Sequence, residues 1–363
     1  MHRTITASEL AQTIGTEAEP FVLDVRDRDE HTAWRIPGAT NIPVAELADR
    51  LDEIPKSRPV VVHCAAGGRS LQAYQILEPS GFDVVDLEGG MGSWAKVYDT
   101  AELTAGGATV VQVRRRAKGC LSYVVGSCGE AYVVDPSLEV EVYEGIAADH
   151  DWKIVGVFDT HLHADHLSGA RLLARRSGAT LYLNPADTFD FDYEPLTDEQ
   201  VFTLPCGTDL GVSVLHTPGH TEGSTIFRVG DDAILTGDTL FVDGVGRPDL
   251  ADRAEEFAHN LYTSLHERVL SLGDQARVLP SHVGEDVDIR PGEIVTATVG
   301  DLRRELRPLA LDEDAFVSWA AAAATDRPPN YVEIIHANMG RPRVDADELR
   351  DLELGPNRCS LPA

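Results

Sequence analysis

The segment DTHLHADHLSG, residues 159–169, places His161, His163, Asp165 and His166 almost side by side. Imidazole nitrogen and carboxylate oxygen are ligands for iron or zinc. In an extended segment residues two apart face the same way, so His161 and His163 can point at one place. Asp165 and His166 then fall in the turn that opens the next helix. Three more such groups follow apolar runs downstream: His220 in TPGHT, Asp238 in LTGDT and His282 in LPSH. A single histidine is usually a satisfied polar side chain. His150 and His216 are read as supporting or surface groups, and His259 and His266 as lying on an exposed helix. Seven ligand-type residues at the ends of four strands instead describe a metal centre built from loops.

A second chemical feature lies upstream. Cys64 ends the apolar run PVVVHC and is followed by AAGGRS and a helical pattern, LQAYQIL. A thiol at a strand-to-helix turn faces the helix N-terminus, whose dipole and free N–H groups favour the thiolate. Gly67 and Gly68 let the loop Ala65, Ala66, Gly67, Gly68, Arg69, Ser70 curl its N–H groups toward the sulfur, and Arg69 adds positive charge. A buried structural cysteine is the plain alternative, and the Gly-Gly-Arg tail favours a reactive thiol.

Both features need scaffolds. Residues 1 to about 100 alternate short strands (FVLDV, PVVVHC, FDVVDL) with helical patterns, the βαβ rhythm of a small parallel sheet. The polar, Gly-Gly-containing stretch DTAELTAGGAT, 99–109, reads as a linker. Alternating strands follow in VVQVRRR, CLSYVVG and EAYVVDP, and KIVGVFDT delivers the histidine-rich segment at its end. Further strands are VSVLH, STIFRVG and AILTG. Helices are expected at about 138–150, 167–177, 254–272 and 293–307, and the alanine run 320–324 is read as helix.

Composition limits the partners. The chain has 363 residues, which implies two domains. Its 31 basic and 60 acidic residues give a net charge of −29. Such a surface repels nucleic acid and anionic membranes and resembles the acidic surface of halophile proteins. The N-terminus carries no apolar signal region and no run is long enough to span a bilayer, so a cytoplasmic location is expected. Five cysteines without a CxxC pair argue against a disulfide framework, and Cys120, Cys128, Cys206 and Cys359 are read as ordinary small residues.

The motifs carry two resemblances. VLDVRDRDEHTAWRIPGATNIP, CAAGGRS and LEGGMGSW resemble a rhodanese domain over most of residues 1–98. Arg35 stands where that family commonly has histidine, and Ala65 where a basic residue often follows the cysteine, so the natural sulfur donor or acceptor stays open. The four residues between Cys64 and Arg69 form a tight loop suited to a persulfide sulfur; related phosphatases have five. HLHADH, TPGHT, TGDT and the closing SH resemble the metallo-β-lactamase fold superfamily over about 108–345. HADHLSG, GVGRPDL (244–250) and PPNYVEIIHAN (328–338) resemble its persulfide (sulfur) dioxygenases more than its glyoxalase II enzymes.

These resemblances imply an α/β chain: a rhodanese-like α/β/α parallel sheet (1–100), a linker (101–107), an αββα sandwich (108–345) and a tail (346–363). They imply one Fe(II) per chain, held by His161, His220 and Asp238, with open positions for a persulfide sulfur and O₂. His163, Asp165, His166 and His282 would orient those ligands. Arg247 would hold an acidic thiol substrate, or pair with Asp249. The implied reaction oxidises a small-thiol persulfide to sulfite and free thiol, while Cys64, with Arg69, carries sulfane sulfur to or from thiosulfate or sulfite. A homo-oligomer is compatible with the sequence. Two alternatives stay open: a glyoxalase-II-like thioester hydrolase holding two zinc or mixed metals through His163, Asp165, His166 and His282, and a non-catalytic persulfide carrier or sensor.

Overall fold

The computed structural model describes residues 2–204, 211–248, 253–284, 287, 289–323, 330–342, 345, 348 and 360–362. The first domain is a five-stranded sheet of Thr4–Ile5 (β1), Phe21–Asp24 (β2), Thr40–Asn41 (β3), Val60–His63 (β4) and Val84–Leu87 (β5). Its order is β1-β5-β4-β2-β3 and every pair is parallel. Alternation along the strands divides the core. Leu23, Val60 and Val62 face helix Gly68–Leu77 through Ala73, Tyr74 and Leu77. Val22, Val61 and Leu87 face helices Ala7–Ala11 and Gly90–Trp94 through Leu10, Met91 and Trp94. The expected α/β/α layering is therefore present.

The rest is two sheets face to face. The first joins Tyr98–Ala105 (β6), Ala108–Arg115 (β7), Cys120–Ser127 (β8), Glu130–Val134 (β9), Lys153–Phe158 (β10), Thr180–Leu183 (β11) and Glu194–Pro195 (β12), in the order β12-β11-β10-β9-β8-β7-β6. The second joins Val201–Thr203 (β13), Gly211–His216 (β14), Thr225–Val229 (β15), Ala233–Gly237 (β16), Arg277–Pro280 (β18) and Ala297–Thr298 (β19), neighbours in that order. Gly244–Gly246 (β17) pairs apart from both with Ser360–Pro362 (β20). Between the sheets lie Val110, Tyr123, Val134, Phe158, Val214, Phe227, Leu235 and Leu279. Helices Glu141–Asp149 and Ala170–Ser177 cover the first sheet from outside, and Ala254–Thr263, Val299–Glu305 and Glu313–Ala323 the second. This is the expected αββα sandwich.

The expected linker is a correction. Residues 98–105 form an edge strand paired along its whole length with β7, and Gly106 and Gly107, at φ +52° and +80°, are the two-residue turn of that hairpin. The Gly-Gly pair marks a tight reversal. Ala101 and Ala105 are buried while Glu102 and Thr104 face out, a half-buried alternation hidden by the polar composition. A second departure concerns Cys128, which is disulfide-bonded. It stands exposed in the β8–β9 turn and, being bonded, is not the ordinary small residue expected there. Most of the expected tail, 346–363, lies outside the described residues. Among the described residues no helix is long and apolar enough to cross a membrane.

Candidate metal centre and thiol loop

Buried apolar strands bring the ligand-type residues together. Phe158, fully buried between the sheets, anchors the end of β10, and burying such a ring stabilises by about 1.5–3 kcal/mol. Asp159, Thr160 and His161 follow it immediately. Asp135 follows β9, His220 lies past β14, Asp238 follows β16, and His282 lies past β18.

His161, His220 and Asp238 converge. Asp238 Oδ2 lies 3.7 Å from His161 Nε2 and 3.5 Å from His220 Nε2. All three residues are buried, and none of these three atoms has a hydrogen-bond partner. Buried polar atoms are rarely left so, because each costs about 1–3 kcal/mol unpaired. Lone pairs aimed at one point fit a cation. The far nitrogens set the tautomers. Thr160 Oγ1 donates to Asp135 Oδ2 at 2.9 Å, which leaves it to accept from His161 Nδ1 at 2.9 Å. His220 Nδ1 donates to the Arg247 carbonyl at 2.9 Å. Both Nε2 lone pairs are thereby free for a ligand bond. Burial, with the charge on nearby His163, pushes His161 well below the ordinary histidine range, and burial also lowers His220. Neutral imidazole is the form a metal binds.

The remaining expected residues sort into two further groups. His163 Nε2 lies 3.2 Å from Asp135 Oδ1 and 3.8 Å from Asp159 Oδ1, and its ring lies 4.2 Å from that of His161. Asp165, His166 and His282 gather with Cys120. His166 Nδ1 contacts Asp165 Oδ1 at 3.1 Å, and Cys120 Sγ lies 3.9 Å from Asp165 Oδ2. His282 stands between two carboxylates: Nδ1 is 2.7 Å from Asp238 Oδ1, and Nε2 is 2.8 Å from Asp165 Oδ2 but off the line of a hydrogen bond. Burial opposes charge on His282, yet Asp165 and Asp238 raise it well above its ordinary value. Arg247 is fully buried and contributes its carbonyl to His220; Asp249 lies outside the described residues. His150, His216 and His259 bind Glu102, the Glu222 carbonyl and Glu313. His266 stacks on Tyr262.

Four supporting residues escaped the sequence reading. Asp135 ties Thr160, His163 and Ser281 together. Asp187 accepts from Leu162 N at 2.9 Å, Gly223 N at 2.9 Å and Thr221 Oγ1 at 3.0 Å, joining the two histidine loops. Asn338 donates to the His163 and His166 carbonyls at 2.9 and 2.8 Å and accepts from Ser168 N at 3.0 Å. Cys120, read as an ordinary residue, is the fourth. The one available signal for Asp135 was an acid closing an apolar strand, as Asp159 also does. Gly246 shows how tight the centre is: a Cβ there would come within 2.0 Å of the Asp238 carbonyl oxygen.

The first domain presents Cys64, buried, at the end of β4. Gly67, at φ +105°, turns its N–H onto Sγ at 3.1 Å, and Ser70 Oγ lies 3.6 Å away. Burial raises the thiol, but the Ser70 hydroxyl and the N–H groups of Ser70, Gly67 and Ala66 outweigh it and hold the pKa below that of ordinary cysteine. Arg69 turns to Glu30, at 2.5 and 2.9 Å, beside the loop.

A thiol cradled by backbone N–H groups on a parallel sheet, and a buried His-His-Asp trio that could hold a metal on an αββα sandwich, define a two-domain α/β protein. Comparison with known proteins agrees. Residues 6–97 match the rhodanese-like domain family, and residues 115–282 match the metallo-beta-lactamase superfamily. A hydroxyacylglutathione hydrolase of Shewanella denitrificans is 30% identical over 211 residues, 58% of this chain and 74% of that protein. An uncharacterized protein of Mycobacterium leprae is 37% identical over 147 residues, 34% of this chain; the match spans 66%, just under two thirds, of that relative. Among solved structures, ETHE1 from Myxococcus xanthus superimposes with a TM-score of 0.56 at 26% identity, covering 63% of this chain and 97% of that one. The chain belongs to the metallo-beta-lactamase superfamily and carries an N-terminal rhodanese-like domain.

Proposed function

We propose that the chain oxidises a low-molecular-weight thiol persulfide with O₂ to sulfite and free thiol at a single Fe(II), and that Cys64 transfers sulfane sulfur to or from thiosulfate or sulfite. The observation that carries this reading is the division of labour at Asp238. Oδ2 joins the unpartnered nitrogens of His161 and His220, while Oδ1 is occupied by His282. One carboxylate oxygen and two imidazoles would hold one metal on one face, and a bound Fe(II) would supply open positions for sulfur and O₂. The protein's own residues do the rest. Thr160 and the Arg247 carbonyl fix the imidazole tautomers, Asp187 locks the two histidine loops together, and burial excludes bulk water. The likeness to ETHE1 and the rhodanese-like domain support a shared sulfur substrate.

A second reading is a thioester hydrolase using two metals. The group Cys120, Asp165, His166 and His282 offers ligands for a second ion, and several relatives are named hydroxyacylglutathione hydrolase. Metal analysis separates the two. Anaerobic iron loading should give one iron per chain and a protein that forms sulfite from a small-thiol persulfide. Two tightly bound metals with thioester cleavage and no sulfite would reject the dioxygenase.

A further inference from the structure

The two sites are joined by one continuous set of contacts. The Cys64 carbonyl accepts from Met91 N at 2.9 Å and the Ala65 carbonyl from Gly92 N at 3.2 Å. A Cβ on Gly90 would come within 2.2 Å of the Cys64 carbonyl oxygen, so the thiol loop and helix Gly90–Trp94 are in close backbone contact. The peptide joining Ala65 and Ala66 is planar, so its two ends turn together. Its C=O binds this helix, and its N–H is among the groups bonded to the Cys64 sulfur. Any reorientation of that peptide for a new sulfur is felt by the helix.

The other end of this segment grips the β7–β8 turn. The Ala95 carbonyl accepts from Arg115 Nε at 3.2 Å and the Val97 carbonyl from Arg116 N at 3.1 Å. Trp34 Nε1 donates to the Ala117 carbonyl at 2.7 Å. The far side of the same turn is bonded to the metal-centre loop. Val283 N donates to the Gly119 carbonyl at 3.0 Å and Leu121 N to the Ser281 carbonyl at 2.7 Å, while Cys120 and His282 form an antiparallel bridge. Arg115 is the cross-strand partner of Cys120. His282 in turn holds Asp238.

We propose that Arg115 and the turn it anchors couple the two sites, so that the sulfur carried by Cys64 sets the position of His282 and with it the affinity of the His161–His220–Asp238 centre for its metal. The inference rests on the reading of both sites given above. Loading the thiol is a single displacement. The Cys64 thiolate attacks the outer sulfur of thiosulfate, the thiosulfate S–S bond breaks, sulfite leaves with the electron pair, and Cys64 keeps the outer sulfur as a persulfide anion. Arg115 is a positioning residue in this scheme, because it touches neither sulfur nor metal.

The test uses the full chain with Co(II), followed by its visible absorption, before and after thiosulfate loading and desalting. Loading should change Co(II) affinity by about fivefold, the lower end of ordinary couplings between sites. The change should vanish in Cys64→Ser, fall below about twofold in Arg115→Ala, and survive in part in Arg115→Lys, which keeps a donor. Trp34→Phe, which removes one hydrogen bond from the same turn, should also weaken it and serves if Arg115→Ala fails to fold. An unchanged affinity on loading, or an equal change in Arg115→Ala and Trp34→Phe, would overturn the coupling alone. If mass spectrometry finds no sulfur on Cys64, or Co(II) does not bind, the site reading fails and the coupling with it.

Discussion

The hydroxyl of Thr160 lies 2.9 Å from Nδ1 of His161, and the same hydroxyl gives its proton to Asp135. The chain Asp135–Thr160–His161 leaves the imidazole one way to place its own proton, away from Asp238. Replacing Thr160 with valine keeps the shape and removes the acceptor. Metal affinity should fall about 10- to 100-fold, as for other groups that orient metal ligands, with the fold intact by circular dichroism. Titration with Fe(II) or Co(II) checks this, and an unchanged affinity would remove Thr160 from the centre.

Asn338 holds the histidine loop from a helix more than 150 residues further along the chain, through the His163 and His166 carbonyls and Ser168 N. Asn338→Ala strands those groups. Denaturant unfolding should show a loss of about 1–3 kcal/mol, the cost of an unmet buried polar group, and metal binding should weaken in parallel. A full loss of stability with metal affinity retained would mean that the loop does not need this anchor.

Ser70 is the leading hydrogen-bonding influence holding the Cys64 thiol below its ordinary pKa, against the larger opposing effect of burial. Removing the hydroxyl in Ser70→Ala takes away a group that favours the thiolate. The pKa must rise, and the acid limb of thiosulfate sulfur transfer must move to higher pH. A pH–rate profile of wild type and variant measures it. A limb that stays in place would show that the loop N–H groups alone set the thiolate.

Metal binding should stabilise the sandwich, because three unpartnered buried atoms gain a partner only in the folded chain. Free metal at one hundred times its dissociation constant contributes about 2.7 kcal/mol. A chelator should therefore lower the thermal midpoint of wild type and leave Asp238→Ala nearly unaffected. Equal responses would place the metal elsewhere.

Much of this was legible in the sequence because strands end where chemistry begins. His161, His220, Asp238 and His282 each follow an apolar run, and Cys64 is flagged by its Gly-Gly-Arg loop. The supporting residues were not legible, because their roles arise from approach in space. Asn338 and Cys120 reach the centre only after distant elements pack, and nothing local distinguishes Asp187 from a surface acid. His163 does lie beside His161, with ring centres 4.2 Å apart, but the Asp135 partner of its Nε2 comes from another strand end. The edge strand 98–105 was hidden by polar residues on its exposed side, where a hairpin's Gly-Gly turn reads like a linker.

The central claim is tested most directly with an oxygen electrode. Anaerobically iron-loaded protein is mixed with a small-thiol persulfide, and sulfite is quantified at the end. The account predicts O₂ consumption matched by sulfite, lost in Asp238→Ala and retained in Cys64→Ser. An iron-loaded protein that takes up no O₂ would contradict it.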